Sequence, residues 1–158
     1  MNVEDCLEQG LLAKSKSDSE KAFSSMDMAQ HKLELAEVEF KHKLFESAII
    51  SAYASMFHSA RALLFRDGFK ERSHFALYVY VNEKYRAKIE RKYLSELNSL
   101  RLQRHDLLYG LERSSEVQES NAGTTIKLAN GFLRAVQKIL KENNTTSKEP
   151  RIARNSRN

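Results

Sequence analysis

The segment FESAIISAYASMFHSARALLFR, at positions 45–66, constrains the fold more than any other part of the chain. As a helix it is apolar nearly all round, with alanines and serines where other helices can approach closely. Such a helix belongs at the centre of a bundle, because it has no face suited to water. Its length also suits a membrane span, but Glu46, His58 and Arg61 would each be costly at hydrocarbon depth. We therefore expect a helix buried in protein and no membrane association.

Residues that end helices are rare in this sequence. Its 158 residues include one Pro and five Gly, whereas 41% are hydrophobic and 30% are charged. Strands need frequent turns and helices do not, so long stretches rich in Ala, Leu, Glu and Lys favour an all-α protein. We predict an up-and-down antiparallel bundle of four to five helices with a short extra N-terminal helix. A single domain is expected over positions 1–142.

The C-terminal segment 143–158 differs from the rest in composition. It is polar, holds the only Pro and contains four Lys or Arg residues against one Glu. It accounts for most of the formal net charge of +5 and leaves the body of the chain closer to neutral. Such a body gives little support for general nucleic-acid binding, which needs dense phosphate contacts. We expect a disordered basic tail that either solubilises the chain or contacts RNA or an acidic partner.

Cysteine and histidine usage argues against disulfides and metal sites. The single Cys6 has no partner within the chain, and no secretory signal pattern opens the sequence, so we expect a cytoplasmic location. The five His residues match no metal-binding pattern such as HExxH, and a Gly-rich phosphate loop is missing, so no metal or cofactor is expected. His31 and His42 fall on polar faces, and His74 falls at a helix start. His58, at the edge of the apolar surface of the central helix, suits hydrogen-bonded packing better than catalysis.

Apolar periodicity and capping residues predict two helices before the central one. A short helix over 3–15, interrupted by Gly10, precedes a long helix capped by Ser17 or Asp18. The expected apolar face of that long helix carries Phe23, Met26, Leu33, Ala36, Phe40 and Leu44.

The same signals divide the second half of the chain. Gly68, after Asp67, ends the central helix, since Gly favours the left-handed C-terminal cap. Ser73 caps a segment over 74–89 that alternates as strands do but has no second strand to pair with, so we predict a helix. A further helix follows, then the polar connection 112–123, and a last helix over about 122–142.

Arg104 faces inward on its predicted helix, which runs to Leu111. On a wheel that advances about 100° per residue, it falls near the centre of a leucine stripe. That stripe consists of Leu97, Leu100, Leu107, Leu108 and Leu111. Asp106 lies on the opposite, solvent side. Arg101, His105 and Tyr109 follow one another along the flank of the stripe.

An inward-facing Arg104 needs a partner, because a guanidinium stays protonated and an unpaired buried charge costs several kcal/mol. Three kinds of partner are conceivable. The first is internal: Glu46, Asp67 or the hydroxyl of Tyr53. The second is an acidic or polar group on another copy of the chain. The third is a phosphate of a nucleotide or RNA, whose oxygens match the fork geometry of arginine.

Several motifs occur together in this sequence. They are AYASMFHSARALL at 52–64, Gly68, Ser73-His74, Arg104 and Tyr109-Gly110. Together they resemble the prokaryotic HEPN domain, over about positions 20–140. The resemblance implies an up-and-down helical bundle that usually forms a homodimer. It also implies frequent pairing with a small nucleotidyltransferase in toxin–antitoxin or defence systems.

The sequence departs from the HEPN family at the nuclease motif. Many family members are metal-independent RNases with an Arg followed, after four to six residues, by a His. After Arg104 the corresponding positions hold Tyr109, Gly110 and Leu111. RNA cleavage by 2′-hydroxyl attack needs a group that titrates near neutrality, as His does and Tyr, with a pKa of about 10, does not. A tyrosine here resembles the non-nuclease branch, in which Arg and Tyr are kept as a structural or ligand-binding pair.

These features predict a non-catalytic or weakly catalytic homodimer that binds a nucleotide, RNA or a nucleotidyltransferase partner between the central helix and the Arg104 helix. Arg104 would hold a phosphate or a cross-dimer acid. Tyr109 and Tyr53 would supply hydroxyls and stacking faces, and His105 and His58 would line the rim. Two alternatives stay open: a metal-independent RNase toxin that uses Arg104 and His105, and a structural subunit whose Arg104 is satisfied internally.

Overall fold

The computed structural model describes residues 1–110 and 119–146, the last four of these by their backbone alone. Within those ranges the helices are α1 (Val3–Glu8), α2 (Ser19–Lys41), α3 (Phe45–Asp67), α4 (His74–Tyr85), α5 (Arg91–Tyr109) and α6 (Glu119–Thr146). A short antiparallel ribbon joins β1 (Leu12–Lys14) to β2 (Phe69–Glu71). The prediction of an all-α bundle with a short extra N-terminal helix is confirmed.

The central helix α3 contacts α2, α4, α5 and α6. Small residues make these close approaches possible, since Ala48, Ala52 and Ala60 are fully buried. By length and composition α3 could cross a membrane, yet 67% of its most apolar window is buried inside the protein. Its position is that of the core helix of a bundle.

The buried face of α2 matches the predicted one in part: Leu33 and Ala36 are buried, and Met26 and Phe40 pack partly buried against the core, but the two ends of the predicted face are exposed. Asp18 caps the helix as expected, since its carboxylate accepts the N–H of Lys21 at 2.9 Å. Phe23, however, is 74% exposed and Leu44, in the following loop, is 55% exposed. The buried residues of α2 are Ala22, Ser25, Ala29, Leu33 and Ala36. Small side chains let α2 lie close against α3. Because Ala22 faces α3, the next residue, Phe23, points towards solvent.

The predicted helix over 3–15 is wrong beyond Glu8. Gly10 has a φ of 69°, which turns the chain out of the helix. Leu12 then pairs with Glu71 in the ribbon. The ribbon depends on Gly68, whose φ of 81° both caps α3 and starts the turn into β2. Local periodicity does not reveal a strand whose partner lies so far along the chain.

The helix α4 confirms the choice of helix over strand for this segment. The Ser73 hydroxyl accepts the N–H of Ala76 at 3.0 Å and caps its start. Its last turns pack on the end of α3, where Tyr80 donates to Asp67 Oδ2 at 2.8 Å and Tyr85 donates to the same oxygen. Asp67 is therefore engaged away from α5.

The last two helices differ from prediction at their ends. Leu94, Leu97 and Leu100 are buried in α5, but Leu108 is 46% exposed and is not part of a buried stripe. Side chains after Leu100 in α5 are half-buried or exposed in the described ranges, although Leu107 still packs against the core. Residues 119–123, predicted as a connection, belong to α6, and α6 continues to Thr146, into the predicted tail. Positions 111–118 and 147–158 lie outside the described residues.

Candidate functional site

A surface pocket of about 650 Å³ opens between the start of α4 and the second half of α5. It is lined by Ser73, His74, Phe75, Arg101, Leu102, Arg104, His105 and Asp106. The start of α4 adds backbone N–H groups that have no acceptor within their own helix, and these favour negative charge. The leucines of α5 fix the pocket, since Leu97 and Leu100 anchor the helix in the core and thereby aim the next turn along α3.

Arg104 is half-buried at the inner wall of this pocket. Its guanidinium carbon lies 5.6 Å from the centre of the Tyr53 ring, a distance typical of a cation–π contact. Its Nε is buried and makes no hydrogen bond. Among the described residues, no carboxylate oxygen lies within 4.0 Å of this guanidinium, which leaves its charge without a counter-ion.

None of the three internal partners predicted for Arg104 pairs with its guanidinium through a carboxylate or a hydroxyl. Glu46 is exposed and Asp67 is held by Arg66 and two tyrosines. Tyr53 is present, but it offers Arg104 the face of its ring. Its hydroxyl is used elsewhere.

The Tyr53 hydroxyl pairs with His74 across the junction of α3 and α4. Its oxygen lies 2.7 Å from Nδ1 of His74, and the two rings are stacked with centroids 5.9 Å apart. The Phe57 ring also stacks on the imidazole of His74, with the two ring centroids 4.4 Å apart. The sequence interpretation gave His74 only the role of a helix start, so this contact was missed.

Both members of the pair are held in their neutral forms. Burial, followed by repulsion from Arg104, Arg101 and Arg61, lowers the pKa of His74 to about 4. Burial raises the pKa of Tyr53 to about 12, although the same Arg104 and Arg101 act in the opposite direction. The imidazole and the phenol are consequently uncharged near pH 7.

Arg101 is a second guanidinium in the pocket. Its Nε and Nη2 donate to Asn98 Oδ1 at 3.1 and 3.0 Å, and its guanidinium carbon lies 5.2 Å from the centre of the Phe75 ring. Asn98 is a neutral amide, and no carboxylate oxygen of residues 1–110 or 119–142 lies within 4.0 Å of the Arg101 guanidinium. Arg61, by contrast, is neutralised by an ion pair of 2.7 Å with Glu71.

His105 and Tyr109 stand at the rim. The side chain of His105 is 72% exposed, and its Nδ1 lies 3.8 Å from Asp106 Oδ1. The ring of Tyr109 lies 5.3 Å from that of His105, centre to centre, and Tyr109 is 66% exposed. His105 lines the pocket and Tyr109 does not.

His58 is not brought to this pocket. It lies edge-on to Phe57, with ring centroids 5.6 Å apart, and its backbone carbonyl accepts the Ser25 hydroxyl at 2.8 Å. Burial, then Arg61 and Lys32, lowers its pKa. A charge from α2 acts on His58, whereas charges from α5 act on His74, so the two histidines occupy different surroundings.

The chemistry available in this pocket is anion binding. Within the described part of the chain the positive charges of Arg104 and Arg101 have no carboxylate partner, and guanidinium N–H groups suit phosphate oxygens. A metal site is not formed in the described ranges, where no group of three His, Cys, Asp or Glu side chains could hold an ion. Of the residues that line the pocket, Arg104 and His105 were predicted as ligand contacts from the sequence. Ser73 and His74 had a signal only as a helix start and as part of the motif shared with the family, and Phe75 and Leu102 had none.

Two comparisons with known proteins identify the family. The HEPN domain family model matches residues 23–140. Over 123 residues the chain is 30% identical to a protein of Methanocaldococcus jannaschii named "Putative toxin MJ0605", an alignment that covers 74% of this chain and 87% of that protein. Helical fold, motif positions and both matches lead to one conclusion: the chain belongs to the HEPN domain family.

Proposed function

We propose that this chain is a non-nuclease HEPN module that binds the phosphate of a nucleotide in the Arg104 pocket. In this proposal it acts as a homodimer, beside a nucleotidyltransferase partner, in a prokaryotic toxin–antitoxin or defence pair. The similarity to a protein named as a toxin supports the class of system. The two arginines of the pocket, Arg101 and Arg104, support a phosphate as the ligand.

One observation carries the proposal. Arg104 keeps a buried Nε without a hydrogen-bond partner at the wall of an open pocket, beside the uncompensated Arg101. A buried donor left unsatisfied typically costs about 1–3 kcal/mol. A bound phosphate would remove that cost and neutralise both guanidiniums at once.

The direct test is to titrate the purified protein with AMP, ATP and short RNA in a calorimeter, which measures the heat of binding. Arg104→Ala is expected to weaken nucleotide binding by roughly 10-fold to 100-fold, the range for loss of a charge-assisted hydrogen bond. Arg91→Ala is the matched control, since Arg91 is an exposed arginine of the same helix. If the wild type binds none of these ligands, or if both variants bind as the wild type does, the ligand proposal is wrong.

A metal-independent RNase toxin is the second candidate. Arg104 and His105 line the same pocket, although His105 stands at its exposed rim. Incubation with total RNA separates the candidates. The RNase proposal requires cleavage that is lost in His105→Ala; no cleavage, or cleavage that persists in this variant, argues against it.

A further inference from the structure

The inner wall of the pocket holds a half-buried titratable group that the proposed function leaves unused, the imidazole of His74. Its Nδ1 is engaged by the Tyr53 hydroxyl at 2.7 Å, and its ring is stacked on Phe57. These contacts fix the ring against α3. The other nitrogen, Nε2, has no hydrogen-bond partner among residues 1–110 and 119–142, and His74 lines the open pocket.

Fixed charges reach His74 from two helices. Arg104 and Arg101 act on it from α5, and Arg61 acts on it from α3. Arg61 is paired with Glu71 of β2, so its charge is compensated. Two full positive charges therefore remain beside the imidazole.

The mouth of the pocket adds two weaker groups. His105 and Asp106 have side chains that are 72% and 88% exposed. Water screens both, so their influence at the inner wall is small. The inner wall is consequently cationic, with one neutral imidazole between α3 and α5.

We propose that His74 contacts the ligand through Nε2 and selects a terminal phosphate group, the doubly charged phosphomonoester, over the singly charged diester inside an RNA strand. This inference rests on the proposed function, because it needs phosphate in the Arg104 pocket. Two guanidiniums match two negative charges. A diester linkage supplies one charge and leaves the second guanidinium uncompensated.

Binding in this manner takes up a proton from solvent. In the empty pocket the imidazole is neutral and shares one hydrogen bond with Tyr53. Burial, the larger cause of the low pKa of His74, persists in the complex, but a dianion offsets the repulsion from Arg104 and Arg101 and places a negative charge beside Nε2, which favours the imidazolium. Nε2–H then donates to a phosphate oxygen and Nδ1–H donates to the Tyr53 oxygen.

The sign of the pH effect follows from this uptake. Burial and the arginines hold the pKa of His74 at about 4 before binding. A higher pKa in the complex means that binding strengthens as the pH falls below about 7. The gain levels off near about pH 6, where about half of a phosphomonoester has lost its second charge.

A terminal phosphate can come from a free nucleotide or from the phosphorylated 5′ end of an RNA. The two sources are separated by titrating AMP, inorganic phosphate, and one short oligoribonucleotide prepared with and without a 5′-phosphate. Selectivity for the terminal group predicts that the 5′-phosphorylated oligonucleotide binds and its 5′-hydroxyl form binds on the order of tenfold more weakly. Equal binding of the two forms overturns the inference.

Proton uptake is measured by calorimetry of AMP binding at about pH 7 in two buffers that differ in ionisation enthalpy. We expect about half a proton or more per bound AMP in the wild type. His74→Gln should lose this uptake and bind on the order of tenfold more weakly. His31→Gln, which changes an exposed histidine of α2 outside the pocket, should keep both.

A second measurement does not depend on the stability of a variant. The pKa of His74 in the wild type is followed by NMR of its ring protons, with and without AMP. An upward shift on binding is expected, and an unchanged value overturns the inference. Tight AMP binding without proton uptake refutes the role of His74 alone, whereas no binding of AMP or phosphate refutes the proposed function together with it.

Discussion

The residues around Arg104 are an aromatic ring, an uncharged imidazole and a second guanidinium, that of Arg101. Such surroundings give Arg104 little stabilisation within the chain, since its Nε has no acceptor. The His74–Tyr53 pair has the opposite character, because its hydrogen bond and stacking are complete without a ligand. The site thus combines the hydrogen-bonded pair of His74 and Tyr53 with the guanidinium of Arg104, which has no counter-ion among the described residues.

The lowered pKa of His74 predicts that the stability of the fold depends on pH. The pKa of His74 lies at about 4 in the folded protein and near 6.5 in the unfolded chain. Below about pH 6.5 the unfolded chain takes up a proton that the folded protein does not, so stability present above this pH is lost as the pH falls to about 4. After allowance for solvent screening of this half-buried ring, the loss is on the order of 1–2 kcal/mol.

Urea unfolding at several pH values measures this loss. The wild type and His74→Gln should diverge in the free energy of unfolding between about pH 7 and pH 4.5, with the wild type falling more steeply. His58→Gln serves as a comparison for the other histidine whose pKa is lowered. Parallel curves for the wild type and His74→Gln would contradict the assignment.

The ribbon of β1 and β2 is the element that places α4 against α3. Gly68 allows it, because a Cβ at this position would lie 2.8 Å from the carbonyl oxygen of Ser15, closer than real contacts allow. That same residue has a φ of 81°, a conformation that other residues adopt at a cost. The start of α4, and with it Ser73 and His74, follows directly after the ribbon.

Two glycine substitutions isolate the effect of this close approach. Gly68→Ala should lower the free energy of unfolding by about 2–3 kcal/mol, through backbone strain and the clash with Ser15. Gly10→Ala is the matched control, because Gly10 also has a positive φ but would place its Cβ in open space, so it should cost about 1 kcal/mol. Chemical denaturation measures both, and equal losses would show that the close approach is unimportant.

For the whole molecule, the sequence sufficed for features that depend on local signals. Apolar runs and caps at Asp18, Ser73 and Gly68 were enough to place the helices. Features that depend on distant residues were missed. The ribbon pairs segments on either side of two long helices, and His74 meets Tyr53 only because α4 folds back on α3. Phe23 was misplaced because small residues, which hydropathy undervalues, form the buried face of α2.

Assembly is a further prediction at this scale. We propose a homodimer that uses the outer face of α5, where Leu102 is 57% exposed and Tyr109 is 66% exposed. These two residues lie about two helical turns apart on the same face of the helix. Light scattering should give about twice the chain mass of 18.2 kDa for the wild type. Leu102→Glu should shift the protein towards the monomer, whereas Phe23→Glu, at an exposed position on α2, should not. A monomeric wild type, or a dimer unaffected by Leu102→Glu, would refute this interface.

The central claim is that Arg104 holds a ligand phosphate, and NMR of the arginine Nε–H groups during a titration with AMP tests it most directly. The signal of Arg104, beside the ring of Tyr53, should move progressively and saturate together with that of Arg101, while the exposed Arg91 stays in place. Saturable movement confined to Arg104 and Arg101 is the predicted result. AMP binding that leaves the Arg104 signal unmoved would contradict the account.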